Sequence, residues 1–167
     1  MNCSPILDGI ICSESHSGEY STMQRSRAAQ LFHRDKDRVD FLKIFIYLTD
    51  VFSDKCGPHK YIIKSHLGIP RYYSDDRRYS DEEIEKNEDF TVKQFLGPQG
   101  TIFAVDTFGL HRGRAVQEGK RSMVQIQFSS SLFGANYNEL SLDKLFNSAP
   151  WTQNLYSQNS RVFQRYV

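Results

Sequence analysis

What most constrains the fold of this chain is a succession of short, extended-looking runs, broken repeatedly by glycine and proline. The runs at 28–35, 41–51, 59–65, 90–96, 101–106, 110–116 and 121–129 are together rich in aromatic and β-branched residues, and most are too short for a helical bundle. Gly57-Pro58, Gly97-Pro98-Gln99-Gly100 and Glu118-Gly119-Lys120 fall between them and supply the backbone conformations that tight connections need. Short strands joined by turns predict an all-β sandwich or barrel. At 167 residues there is room for one domain with a real core, and residues 1–167 are expected to form it. The first strand is either 5–12 or 20–27.

Because side chains alternate across an extended segment, each run also predicts two faces. In 41–51 an aliphatic row, Leu42, Ile44, Ile46 and Leu48, is expected to be core or sheet-packing surface, and Lys43, Phe45, Tyr47 and Thr49 form the other row. In 121–129 Arg121, Met123, Gln125 and Gln127 stand opposite Ser122, Val124, Ile126 and Phe128. A polar row that begins with arginine, backed by an apolar one, suits a strand walling a ligand cavity. The segment 71–89 is densely charged, with a helix-compatible stretch at 81–87, and is expected to run over the surface, where it could act as a lid. Leu142, Leu145 and Phe146 have helical spacing, which predicts a short helix near 141–147.

Lys and Arg total 21 against 20 Asp and Glu, so no strong field favours nucleic acid or an anionic membrane as partner. A small molecule is the expected partner. No apolar run approaches the roughly 18 to 20 residues of a membrane span, and the first residues lack a signal-peptide pattern, so a cytoplasmic setting is expected. Cys3, Cys12 and Cys56 are odd in number and scattered, which suggests reduced thiols rather than a disulfide framework or zinc knuckle.

Against this background the sequence His33-Arg34-Asp35 stands out, followed by a distant His111 and then by Arg121. Alternation puts His33 and Asp35 on one face, and two histidines with one carboxylate form the set that holds non-haem Fe(II) with coordination positions left open. A His-x-Asp alone is more often a surface or hydrogen-bonded pair, and the same three ligands also suit zinc. Arg121 offers a planar fork of donors that can grip a carboxylate through two parallel hydrogen bonds. Gln125 and Gln127 share its face, and Lys43 is a second candidate for a carboxylate contact. Arg114, three residues past His111, is the weaker alternative to Arg121. His59 and His66, at the two ends of one run, are expected to be structural or substrate-side.

The runs AQLFHRDKD, FLKIFIYLTDV, GPHKYIIKSH, GTIFAVDTFGLHRG and GKRSMVQIQFS resemble the core of the phytanoyl-CoA dioxygenase family over roughly 28–130. That resemblance implies a double-stranded β-helix, the jelly-roll or cupin-like fold, carrying an Fe(II)- and 2-oxoglutarate-dependent oxygenase. It implies His33, Asp35 and His111 as iron ligands and catalytic centre, with Arg121 on the far carboxylate of 2-oxoglutarate. Related enzymes that halogenate lack the carboxylate, so Asp35 implies hydroxylation or a related oxidation of a small or lipid-like substrate, with release of succinate and carbon dioxide. Only 32 residues precede His33, fewer than members usually carry. The resulting expectation is an uncovered outer sheet face at Val124, Ile126 and Phe128, which a homodimer would cover. It also keeps open an alternative, a catalytically silent cupin-like binding domain.

Overall fold

The computed structural model of the chain describes residues 5–73 and 76–131. In chain order the elements are β1 (Ile6–His16), α1 (Thr22–Arg27), β2 (Phe41–Tyr47), β3 (His59–Ile62), α2 (Asp81–Glu85), β4 (Val92–Phe95), β5 (Ile102–Val105), β6 (His111–Gly113) and β7 (Lys120–Ser129). They make a four-stranded sheet, β1-β7-β2-β5, and a three-stranded sheet, β4-β3-β6, with antiparallel pairing throughout. This is the mostly β, jelly-roll architecture expected from the sequence. Residues 132–167, and with them the helix expected at 141–147, lie outside the described residues. Among the described residues no helix is long and apolar enough to cross a membrane.

Of the two options for a first strand, 5–12 is the one that forms, extended to His16. The other, 20–27, contains a helix instead. Ser21 and Gln24 explain this. The Ser21 side chain accepts from the Gln24 backbone N–H at 3.3 Å and Gln24 Oε1 accepts from the Ser21 N–H at 2.9 Å, a reciprocal cap that starts α1. The expected strand 28–35 shrinks to isolated bridges at Phe32 and His33, because the chain leaving α1 turns through Ala29 in a left-handed conformation, φ 55°.

The two sheets face each other across an aromatic core of Phe45, Tyr47, Tyr61, Phe103, Val105 and Met123. Burial along β2 corrects one expectation about faces. Phe41, Lys43, Phe45 and Tyr47 are the buried row, whereas Leu42, Ile44 and Ile46 are half-buried and Leu48 is 43% exposed. The aliphatic row therefore lies on the outside of the large sheet, in register with Phe128, Ile126 and Val124 of β7. The inside combines aromatics with buried polar groups that hold one another, so hydrophobicity alone misidentifies the covered face.

The charged segment after residue 70 is a second departure. Tyr73, Tyr79 and Ile84 are buried with Phe32, Ile62 and Leu110 in a separate cluster on the outer side of the small sheet. Burying Ile84 to 1% exposure contributes roughly 1.5–3 kcal/mol. The charges that suggested a solvated surface belong to neighbouring positions such as Asp76 and Glu82. Asp81 is held differently, since it pairs with the fully buried Arg112 at 2.7 Å.

Candidate metal centre

Two backbone exchanges build the site. Phe32 and Tyr79 trade hydrogen bonds at 2.9 and 2.8 Å, and His33 and His111 trade theirs at 2.9 Å in both directions. Residues facing each other in such an antiparallel pair project side chains to the same side. The rings of His33 and His111 are thus 4.3 Å apart between centroids, on the inner side of the small sheet. Phe32 and Leu110, one residue earlier in each segment, point outward into the cluster with Tyr79 and Ile84 and pin the pair from behind. Asp35 is tied in by its N–H to the Thr107 carbonyl at 2.8 Å.

The donors suit a metal ion. Nδ1 of His33 lies 2.8 Å from the Leu31 carbonyl and Nδ1 of His111 lies 3.0 Å from the Gly109 carbonyl. A carbonyl can only accept, so each Nδ1 carries the proton and each Nε2 presents a lone pair. Asp35 stands between them, Oδ1 at 3.5 Å from His33 Nε2 and Oδ2 at 3.4 Å from His111 Nε2. One donor atom from each of the three residues lies within 4.8 Å of the others, a cluster that could hold one metal ion.

The electrostatics keep these groups in their ligating forms. Burial, reinforced by the neighbouring His111, pushes His33 down to about 3, so it is neutral near pH 7. Burial tends to raise Asp35, but its pKa lies well below the usual carboxylate range, and the neighbouring Lys43 ammonium is among the groups that hold it ionised. Lys43 Nζ contacts Asp35 Oδ2 at 2.6 Å and Asp37 Oδ2 at 2.9 Å. That is where the structure places the lysine considered from sequence as a cosubstrate contact.

Arg121 also lies inside, 6% exposed. Its Nη1 donates to the carbonyls of Gly57 and Arg114, and Nη2 to Ser15 Oγ at 3.2 Å. Among the described residues no carboxylate pairs with it, and its Nε has no partner. Burial depresses its pKa, with Tyr47 opposing. Gly113 makes room for the guanidinium, since a Cβ there would stand 3.1 Å from Arg121 Nη2. The sequence reading passed over this glycine, two residues past His111.

The remaining candidates separate from this centre. Arg114 is engaged by Asp54. Gln127 donates to Asp8 at 2.7 Å, and Gln125 lines a shallow cavity with Asp8, Asp37 and Arg38. His66 Nδ1 is bound to the Tyr61 hydroxyl at 2.8 Å. His59, by contrast, is 3% exposed and lies against the centre, its ring stacked on that of His111 at 5.5 Å.

No family model and no curated protein matches the chain, so membership of the phytanoyl-CoA dioxygenase family has no such match behind it. Solved structures do match. HygX from Streptomyces hygroscopicus, with nickel and 2-oxoglutarate bound, superposes with a TM-score of 0.56 at 15% identity, over 83% of this chain and 61% of HygX. SnoN, a non-haem α-ketoglutarate-dependent epimerase from nogalamycin biosynthesis, gives 0.55 at 14% identity over 83% and 60%. EvdMO1 gives 0.52 at 18% identity over 75% of this chain, which spans only 27% of EvdMO1. At such identities the likeness concerns architecture, and in architecture this chain is a double-stranded β-helix of the kind on which HygX and SnoN are built.

Proposed function

We propose that this chain is a non-haem Fe(II)- and 2-oxoglutarate-dependent oxygenase, similar to the phytanoyl-CoA dioxygenases, that hydroxylates a small or lipid-like organic substrate. The observation that carries the proposal is the pairing of a two-histidine, one-carboxylate centre with a buried guanidinium that has no counterion among the described residues. In this reading His33, Asp35 and His111 hold the iron, and Arg121 takes the far carboxylate of the cosubstrate. The carbonyls of Leu31 and Gly109 set the tautomers of the two histidines. Lys43 steadies Asp35 and offsets its charge. Bound iron and the 2-oxo acid would together supply oxygen activation, with succinate and carbon dioxide as coproducts. The epimerase SnoN shows that the fold hosts other outcomes, so the hydroxylation rests on the intact Asp35 and the sequence resemblance.

The test is anaerobic titration of the metal-free protein with Fe(II) and 2-oxoglutarate, followed by admission of oxygen. A weak visible charge-transfer band and oxygen-dependent succinate formation without added substrate are expected. Absence of the band removes the site assignment. A band without succinate moves the chain to the alternative, a catalytically silent binding domain, and turnover with zinc in place of iron excludes the redox chemistry.

A further inference from the structure

His59 opens β3, and its position relative to the centre is unusual for a core histidine. It pairs across the sheet with Gly113, while Tyr61, two residues on, pairs with His111. His59 and His111 therefore share the inner face, their rings 5.5 Å apart and 18° from parallel. The guanidinium of Arg121 lies over Gly113, the cross-strand partner of His59. His59 is thus placed between His111 and Arg121.

Its surroundings leave one polar atom without a partner. Phe45, Phe103 and Phe95 lie 4.7, 5.6 and 5.8 Å from the ring, centroid to centroid. The Tyr47 hydroxyl accepts the His59 backbone N–H at 3.0 Å and fixes the start of the strand. Nε2 is buried with no hydrogen-bond partner among the described residues. A polar atom in that condition costs about 1–3 kcal/mol unless a ligand or water meets it. A leucine or phenylalanine would fill the aromatic nest without that cost.

From this geometry we infer that His59 is a cosubstrate-binding residue whose Nε2–H donates to the distal carboxylate of 2-oxoglutarate beside Arg121, an inference that rests on the function proposed above. The two residues then divide the work. Arg121 supplies charge and fork, and His59 supplies one directed N–H donor from a largely aromatic wall.

Imidazole 15N–1H spectra of the wild-type protein loaded with zinc, a diamagnetic stand-in, give the direct test. Saturating 2-oxoglutarate should move the His59 Nε2–H signal downfield, whereas 2-oxopentanoate, which lacks the distal carboxylate, should not. Calorimetry on the same zinc-loaded form should show His59→Leu weakening 2-oxoglutarate about 10-fold or more, with zinc affinity unchanged. His59→Gln, which keeps a donor near Nε2, should recover most of the loss, a rescue that a purely structural role does not predict. If wild-type protein binds 2-oxoglutarate and Arg121→Ala weakens it while the His59 signal stays fixed, the assignment of His59 is wrong and the function stands. A shift with 2-oxopentanoate equal to that with 2-oxoglutarate also overturns it. If wild-type protein binds no 2-oxoglutarate at all, the proposed function fails and this inference falls with it. A His59→Leu variant that does not fold leaves the wild-type spectra to decide.

Discussion

Lys43 and Arg121 are both buried cations on the inner face of the large sheet, and they are treated in opposite ways. Lys43 is opposite Gln127, six residues from Arg121 along β7, so the two backbone positions are roughly 20 Å apart. Lys43 meets two carboxylates, Asp35 and Asp37. Arg121 meets carbonyls and a hydroxyl but no carboxylate among the described residues. A buried charge without a counterion is expensive, and removing the partner of a pair costs far more than removing both. The difference separates a cation whose charge is spent inside the protein, on the proposed metal ligand Asp35, from one whose charge is available to an incoming anion.

The largest expected effect is at the paired end. Asp35→Ala removes a proposed ligand and one of the carboxylates on Lys43, and should lower Fe(II) or Ni(II) affinity by more than the roughly 100-fold typical of outer-sphere changes. Calorimetric metal titration checks this, and unchanged affinity would dissolve the centre. At the unpaired end, Arg121→Ala should leave metal affinity intact while raising the KM for 2-oxoglutarate about 10- to 100-fold. Equal losses of metal and cosubstrate would show that the two ends are not independent. Lys43→Met is the sharper probe of the contrast. A lysine that only steadies Asp35 should change metal affinity by about 10-fold and 2-oxoglutarate much less. A cosubstrate defect as large as that of Arg121→Ala would instead give Lys43 the carboxylate contact considered from sequence.

The smallest effect concerns the histidines lying between the two cations. In the metal-free protein His33 is held at about 3 against an ordinary 6.5, and His59 is likewise depressed, in both cases chiefly by burial. The unfolded chain takes up protons at these positions that the folded chain refuses. Stability should therefore decline as pH falls from about 6.5 towards 3, and Asp35 adds to the decline below its ordinary range. Urea unfolding of metal-free protein across that range measures it, and a flat profile would contradict the burial of His33 and His59.

Much of this centre was legible beforehand because its signals are local. His33 and Asp35 are two apart, alternation joins them, and the structure does bring them together with His111. The turns at Gly57 and Gly119 hold, with positive φ at both. The Ser21-x-x-Gln24 cap is equally local, and it decides against 20–27, one of the two options for the first strand. Other features had no local signal. Tyr79 and Ile84 sit among charged residues, and only contact with Phe32 and Leu110 reveals them as the clamp behind the candidate metal centre. That Nε2 of His59 has no partner among the described residues can be seen only once Phe45, Phe103 and His111 surround it.

By itself the sequence determined the donor types, the strand period and the positions of the turns, since each depends on residues close together in the chain. Tertiary structure decided which row of β2 faces inward, which cation keeps a counterion and which histidine lies beside the proposed ligands. The physical reason is that a period of two states which residues share a face but is silent about which face is covered. That choice belongs to contacts between segments as distant as Lys43 and Gln127, or His33 and His111.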